Sequence, residues 1–270
     1  MRNRLIAVTA AFLCLAGSAA AHDLFLTLDS FFRSPDSTAR VSVINGTFSV
    51  SEGAVSRTRL RDLSVVSAGT RRELDRTLWD SVDAKLAVVR VPLTQPGTYV
   101  LGASLLPREI TLSGSDFNGY LETEGILPII QRRRERDELD STARERYHKH
   151  VKALLQVGAA RSDDYTAVLG YPAELVPLEN PYSLRRGQSL RVRALVEGQP
   201  VAGQVVIAGG RTRSGARIEP RRSVTDSAGV ARVRLSPAGR WYVKFIHMEP
   251  VTSDSLDYES KWATLTFEIR

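Results

Sequence analysis

The sequence has one cysteine in 270 residues, Cys14, and only four histidines. Cys14 falls within the first fifteen residues, so nothing after it can form a disulfide and stability has to come from burial. No apolar run beyond Leu15 approaches the roughly 20 residues that a bilayer-spanning helix needs. No G-x-S-x-G, H-E-x-x-H, glycine-rich phosphate loop or C-x-x-C pattern occurs, and the serines are not spaced so as to select a catalytic triad. An enzyme is therefore not expected. Repeats and low-complexity stretches are absent as well, which leaves a globular chain.

The N-terminus carries a targeting pattern. Arg2 and Arg4 precede an apolar run from Leu5 to Leu15, and Ala19-Ala20-Ala21 closes the segment. A positive start, a short apolar middle and an A-x-A ending describe a secretory signal. Residues 1–21 are read as that signal, and His22 as the first residue of an exported, periplasmic or secreted chain. The formal charge is +7, of which Arg2 and Arg4 supply two. The remaining excess is mostly scattered arginine. It comes with no nucleic-acid recognition motif, so no nucleic-acid partner is expected.

Three zones follow. Residues 22–115 alternate apolar and polar positions, as in Val41/Val43 and Val89/Val91, with turn residues at Asn45-Gly46 and Gln95-Pro96-Gly97; this is the pattern of half-buried strands. Residues 116–170 are charged and lack that alternation. Here Ser141 is read as the cap of a helix ending at Gly158, with Tyr147, His150, Val151, Leu154 and Val157 on one face. Residues 171–270 return to short strands, with turns that include Gly209-Gly210. The expected architecture is mainly β: two antiparallel β-sandwich domains, Ig-like or transthyretin-like, joined by a helical segment.

Histidine chemistry supplies the candidate site. A cut after Ala21 gives His22 a free amine, which chelates one metal ion together with imidazole Nδ1. A further imidazole completes a three-nitrogen set suited to Cu(II) or Ni(II). On a helix His148 and His150 stand about 200° apart and cannot share an ion, with His150 turned inward and His148 toward solvent beside Lys152. His247 ends a strand whose faces are Trp241/Val243/Phe245/His247 and Tyr242/Lys244/Ile246/Met248. His22 and His247 are the expected metal ligands, with His150 and Asp23 as secondary candidates.

Four segments carry a family resemblance. His22-Asp23-Leu24-Phe25-Leu26, Arg146-Tyr147 through Lys152-Ala153-Leu154, Val176 to Tyr182, and Trp262 to Phe267 together resemble the domain-of-unknown-function family 4198. Val224 to Ala231 also resembles carboxypeptidase regulatory-like, transthyretin-like modules. The first resemblance implies an exported bacterial protein associated with nickel or cobalt uptake, and a histidine at the position of His247. From it follows the expectation of a periplasmic binding protein for a transition-metal ion (nickel, cobalt or copper), with a membrane transport component as partner. The alternative of another class is an interaction protein whose Ig-like domain docks a protein or envelope partner without metal.

Overall fold

A computed structural model describes residues 22–270; the signal read at 1–21 lies outside the described residues. The chain is mainly β. One sheet runs, strand by neighbouring strand, through Arg217–Val224, Val205–Thr212, Gly239–Pro250, Tyr258–Ile269, Ala143–Val157, Gly97–Leu105, Leu60–Ser67 and Thr70–Glu73. A second joins Asp23–Thr27, Ser37–Thr47, Ala87–Leu93 and Trp79–Ser81, and a third is built around Ser189–Val196. All these strand neighbours are antiparallel except Ala143–Val157 against Tyr258–Ile269.

That parallel pair corrects the expected helix between Ser141 and Gly158. The segment is the strand Ala143–Val157 at the centre of the large sheet. From Lys149 to Val157 every residue is buried. Burial on both faces replaces alternation with a near-continuous apolar run, and such a run mimics a buried helix. The helices in this zone are earlier and shorter. The first, α1 (Gly114–Glu124), is capped by Ser113, whose Oγ accepts from the Asp116 N–H at 3.1 Å, and it ends on Gly125 in the left-handed conformation at φ 74°. The second, α2 (Leu127–Glu135), has Pro128 in its first turn. At the end of α2, Arg133 is buried against Phe117 at 5.1 Å and ties the helix end to the carbonyls of Glu138 and Ser141.

The expected boundaries at 115/116 and 170/171 do not separate cores. A single buried apolar cluster runs from Leu24 through Leu154 to Ile269, because the large sheet interleaves strands from all three zones. Two expected turns are also strand. Asn45-Gly46 lies inside Ser37–Thr47, and Gly209-Gly210 lies inside Val205–Thr212 beside a bulge.

One face of the large sheet carries two covers. Helices α1 and α2 pack Phe117, Leu121 and Ile130 onto Ile246, Met248 and Trp262. Beside them lies strand Asp23–Thr27, whose free edge would otherwise leave carbonyls bare. The sheet satisfies them through side chains: Thr264 donates to Leu24 O at 2.8 Å, Thr266 to Leu26 O, and Lys149 to His22 O. The start of the described chain is thereby pinned at the seam between helices and strand.

Candidate functional site

The seam opens into a cleft with His22 in its wall. On one side is a chamber of about 500 Å³, on the other a chamber of about 320 Å³, and His22 lines both. Each exceeds the roughly 300 Å³ at which small-molecule sites begin.

The larger chamber has an aromatic wall and a charged end. Phe25, Phe48 and Tyr242 meet with ring centroids 5.0 to 5.2 Å apart. Gly209 makes room for Tyr242, since a Cβ there would come within 2.6 Å of the Tyr242 hydroxyl. At the charged end, Lys244 Nζ bonds Asp23 Oδ2 at 2.6 Å and Glu124 Oε1 at 2.9 Å, joining the first strand to α1. Burial opposes charge on Lys244, but Asp23 and Glu124 outweigh it and raise its pKa. Burial also raises the pKa of Glu124, with Lys244 working against it and Asp23 with it. Lys244 Nζ also lies 2.8 Å from Glu124 Oε2, whereas Asp23 Oδ1 is buried with no hydrogen-bond partner. At the rim, Arg217 stands 3.5 Å from Glu219, and Arg211 bonds Ser49.

The smaller chamber is cationic. Lys149 is clamped between the rings of Tyr147 and Trp262, at 5.1 and 5.0 Å. Burial is the main cause that lowers its pKa, to about 8, with Asp23 opposing and Arg59 assisting. Arg59 and Arg108 join Lys149 in the lining, with Asn45, Ser56 and Tyr147 as neutral polar groups, and no carboxylate lines this chamber. Between the chambers, His22 Nδ1 lies 3.5 Å from Glu52 Oε2.

A family model described as a domain of unknown function, DUF4198, matches residues 19–249. The chain belongs to this family. No curated protein matches it. Among solved structures, Salmonella alpha-2-macroglobulin reacted with methylamine is similar at 10% identity, over 92% of this chain and 15% of that one, with a TM-score of 0.26. The tetra-tandem repeat in the extending region of a large adhesion protein is similar at 12% identity, over 92% of this chain and 49% of that one, with a TM-score of 0.24. The chain spans about 15% of the macroglobulin's length, and TM-scores this low carry no functional argument.

Within this DUF4198 chain the expected ligands are divided. His22 and Asp23 reach the cleft. His247 does not, because it is three residues from Lys244 on the same strand and points to the opposite face of the sheet. There its Nδ1 meets Gln204 Oε1 at 3.1 Å and its Nε2 lies 3.4 Å from Glu249. It shares that face with His148, since both register against Lys261, and with His150. As a strand pair His148 and His150 do face the same way, with rings 6.3 Å apart, contrary to the helical expectation. His150 is buried on Ser104 and Tyr171, and Arg61 and Lys261 make its surroundings hostile to a cation. Lys152, expected beside His148 in solvent, is buried against Glu174. Among the described residues no group of three or more His, Cys, Asp or Glu side chains converges on a metal position. Sequence reading missed Glu52, Arg59, Arg108 and Lys149, the last because its segment resembled a helix.

Proposed function

We propose that this DUF4198 protein is an exported, non-enzymatic binding protein that takes one transition-metal ion (copper, nickel or cobalt) at His22 and passes it to a membrane uptake component. The proposed ligands are the His22 amine freed by signal cleavage, its Nδ1 and the Glu52 carboxylate. The observation that carries this reading is the anchoring of the chain start. Lys149 fixes the His22 carbonyl and Lys244 fixes Asp23, while the imidazole stands 3.5 Å from Glu52 at the cleft wall. Such pre-positioning lowers the ordering cost of chelation. Side chains alone do not form the site, so the amine is indispensable to the reading.

The test is a calorimetric titration of correctly processed protein with Cu(II) and Ni(II). Glu52→Ala is expected to weaken binding at least about tenfold, a scale of 1.4 kcal/mol, and a methionine left before His22 further still. His247→Ala is expected to leave affinity unchanged. Equal affinity in wild type, Glu52→Ala and the methionine-extended chain would overturn the reading.

A further inference from the structure

The smaller chamber is a second site of opposite character. We propose that it binds a small oxyanion head, carboxylate or phosphate, carried on a short apolar body.

Arg59, Arg108 and Lys149 converge on it with no acidic residue in the lining. Among the described residues neither Arg59 nor Arg108 makes an ion pair, whereas Arg71, Arg144, Arg146 and Arg191 each have a carboxylate partner within 3.0 Å. Arg59 is held in place because it donates to Leu106 O at 2.7 Å. Its Nε is nevertheless buried with no acceptor. A buried guanidinium N–H without a partner is costly, and a planar oxyanion is the group its fork fits best. Burial, and then Arg108, lower the Arg59 pKa, as unneutralised cations crowded together require. Val55, Leu105 and Ile110 supply the apolar part of the same lining and would cover the apolar body. Lys149 is fixed by two rings and by His22 O, so its position costs nothing further to organise.

This site goes beyond the metal reading and does not depend on it, since none of these three cations is a proposed metal ligand. Full-length processed protein, stripped of metal with EDTA, is titrated with benzoate, phenyl phosphate and the neutral benzamide. Saturable binding of benzoate or phenyl phosphate is expected, the tighter of the two identifying the head group, with benzamide at least tenfold weaker. Arg108→Gln, at an exposed position, is expected to weaken the anion at least fivefold. Arg57→Gln, a neighbouring arginine outside the chamber, is expected to leave it unchanged. The inference is overturned if neither anion saturates, if benzamide binds equally, or if Arg57→Gln weakens binding as much as Arg108→Gln. Repeating the titration on the methionine-extended chain separates the two readings, because the anion should still bind where metal does not.

Discussion

Replacing Lys152 by methionine separates the strand from the helix for residues 143–157. As a solvent-facing helix residue, Lys152 would tolerate the change to within about 0.5 kcal/mol. In the strand it is 4% exposed, paired with a Glu174 side chain 1% exposed, and its Nζ also donates to Ala167 O at 2.9 Å. Glu174 in turn accepts from the backbone N–H groups of Leu169 at 2.9 Å and Tyr171 at 2.7 Å. Removing one partner of a buried pair costs about 3 to 5 kcal/mol. The two N–H donors on Glu174 partly compensate, which places Lys152→Met near 3 kcal/mol. For a chain of this size, that is a fall in Tm of about 6 to 12 °C. Glu174→Gln should cost a similar amount, because Lys152 then keeps only carbonyl partners. The double variant should cost clearly less than the two singles combined, with a coupling of at least about 1.5 kcal/mol. Urea denaturation with an unchanged m-value reads all three. A Lys152→Met loss below 1 kcal/mol, or additive singles, would refute the buried pairing and with it the central position of this strand.

Three more outcomes follow from the same core. Burial, aided by His148, Arg61 and Lys261, holds His150 down to about 3 in the folded chain, against about 6.5 unfolded. The unfolded chain therefore gains its proton first on acidification. The associated stability is complete above pH 6.5 and fades from there toward pH 3, reaching about 2 to 3 kcal/mol lost at pH 4.5; denaturation of His150→Gln at both pH values should show a smaller decline, and an equal one would contradict the burial. Thr264→Val and Thr266→Val each strip an edge carbonyl of its donor and should cost about 1 kcal/mol apiece; hydrogen exchange at Leu24 to Thr27 should rise with them, and unaltered exchange would count against the capping. Residues 171–270 expressed alone should lack a cooperative thermal transition, because Tyr258–Ile269 loses its parallel neighbour; a sharp calorimetric peak would mean that this part has a core of its own.

The sequence revealed most where one face of a strand is buried. Val41/Val43 and Val89/Val91 alternate because strands Ser37–Thr47 and Ala87–Leu93 are half-covered. Reading failed where both faces are covered, since Val151 to Val157 then carries no period of two. It failed again at Gly209-Gly210, where the glycines serve Tyr242 and the ladder to Arg240 rather than a turn. Within the site, His22 and Asp23 were legible from the cleavage pattern and the ligand chemistry. His247 was assigned to its correct face, but nothing local says which face the chain start covers. That choice is made by Thr264, Thr266 and Lys149 across more than a hundred residues. Glu52 and the Arg59–Arg108 pair reach the cleft only through tertiary packing, so no spacing in the sequence marks them.

The most direct measurement is native mass spectrometry of protein exported with its own signal and exchanged into copper at one equivalent. The account predicts a mass that begins at His22 and carries one tightly held ion, with the ion lost when a methionine precedes His22. A chain that begins elsewhere, or one that begins at His22 and retains no metal, would contradict the assignment of the cleft as a metal site.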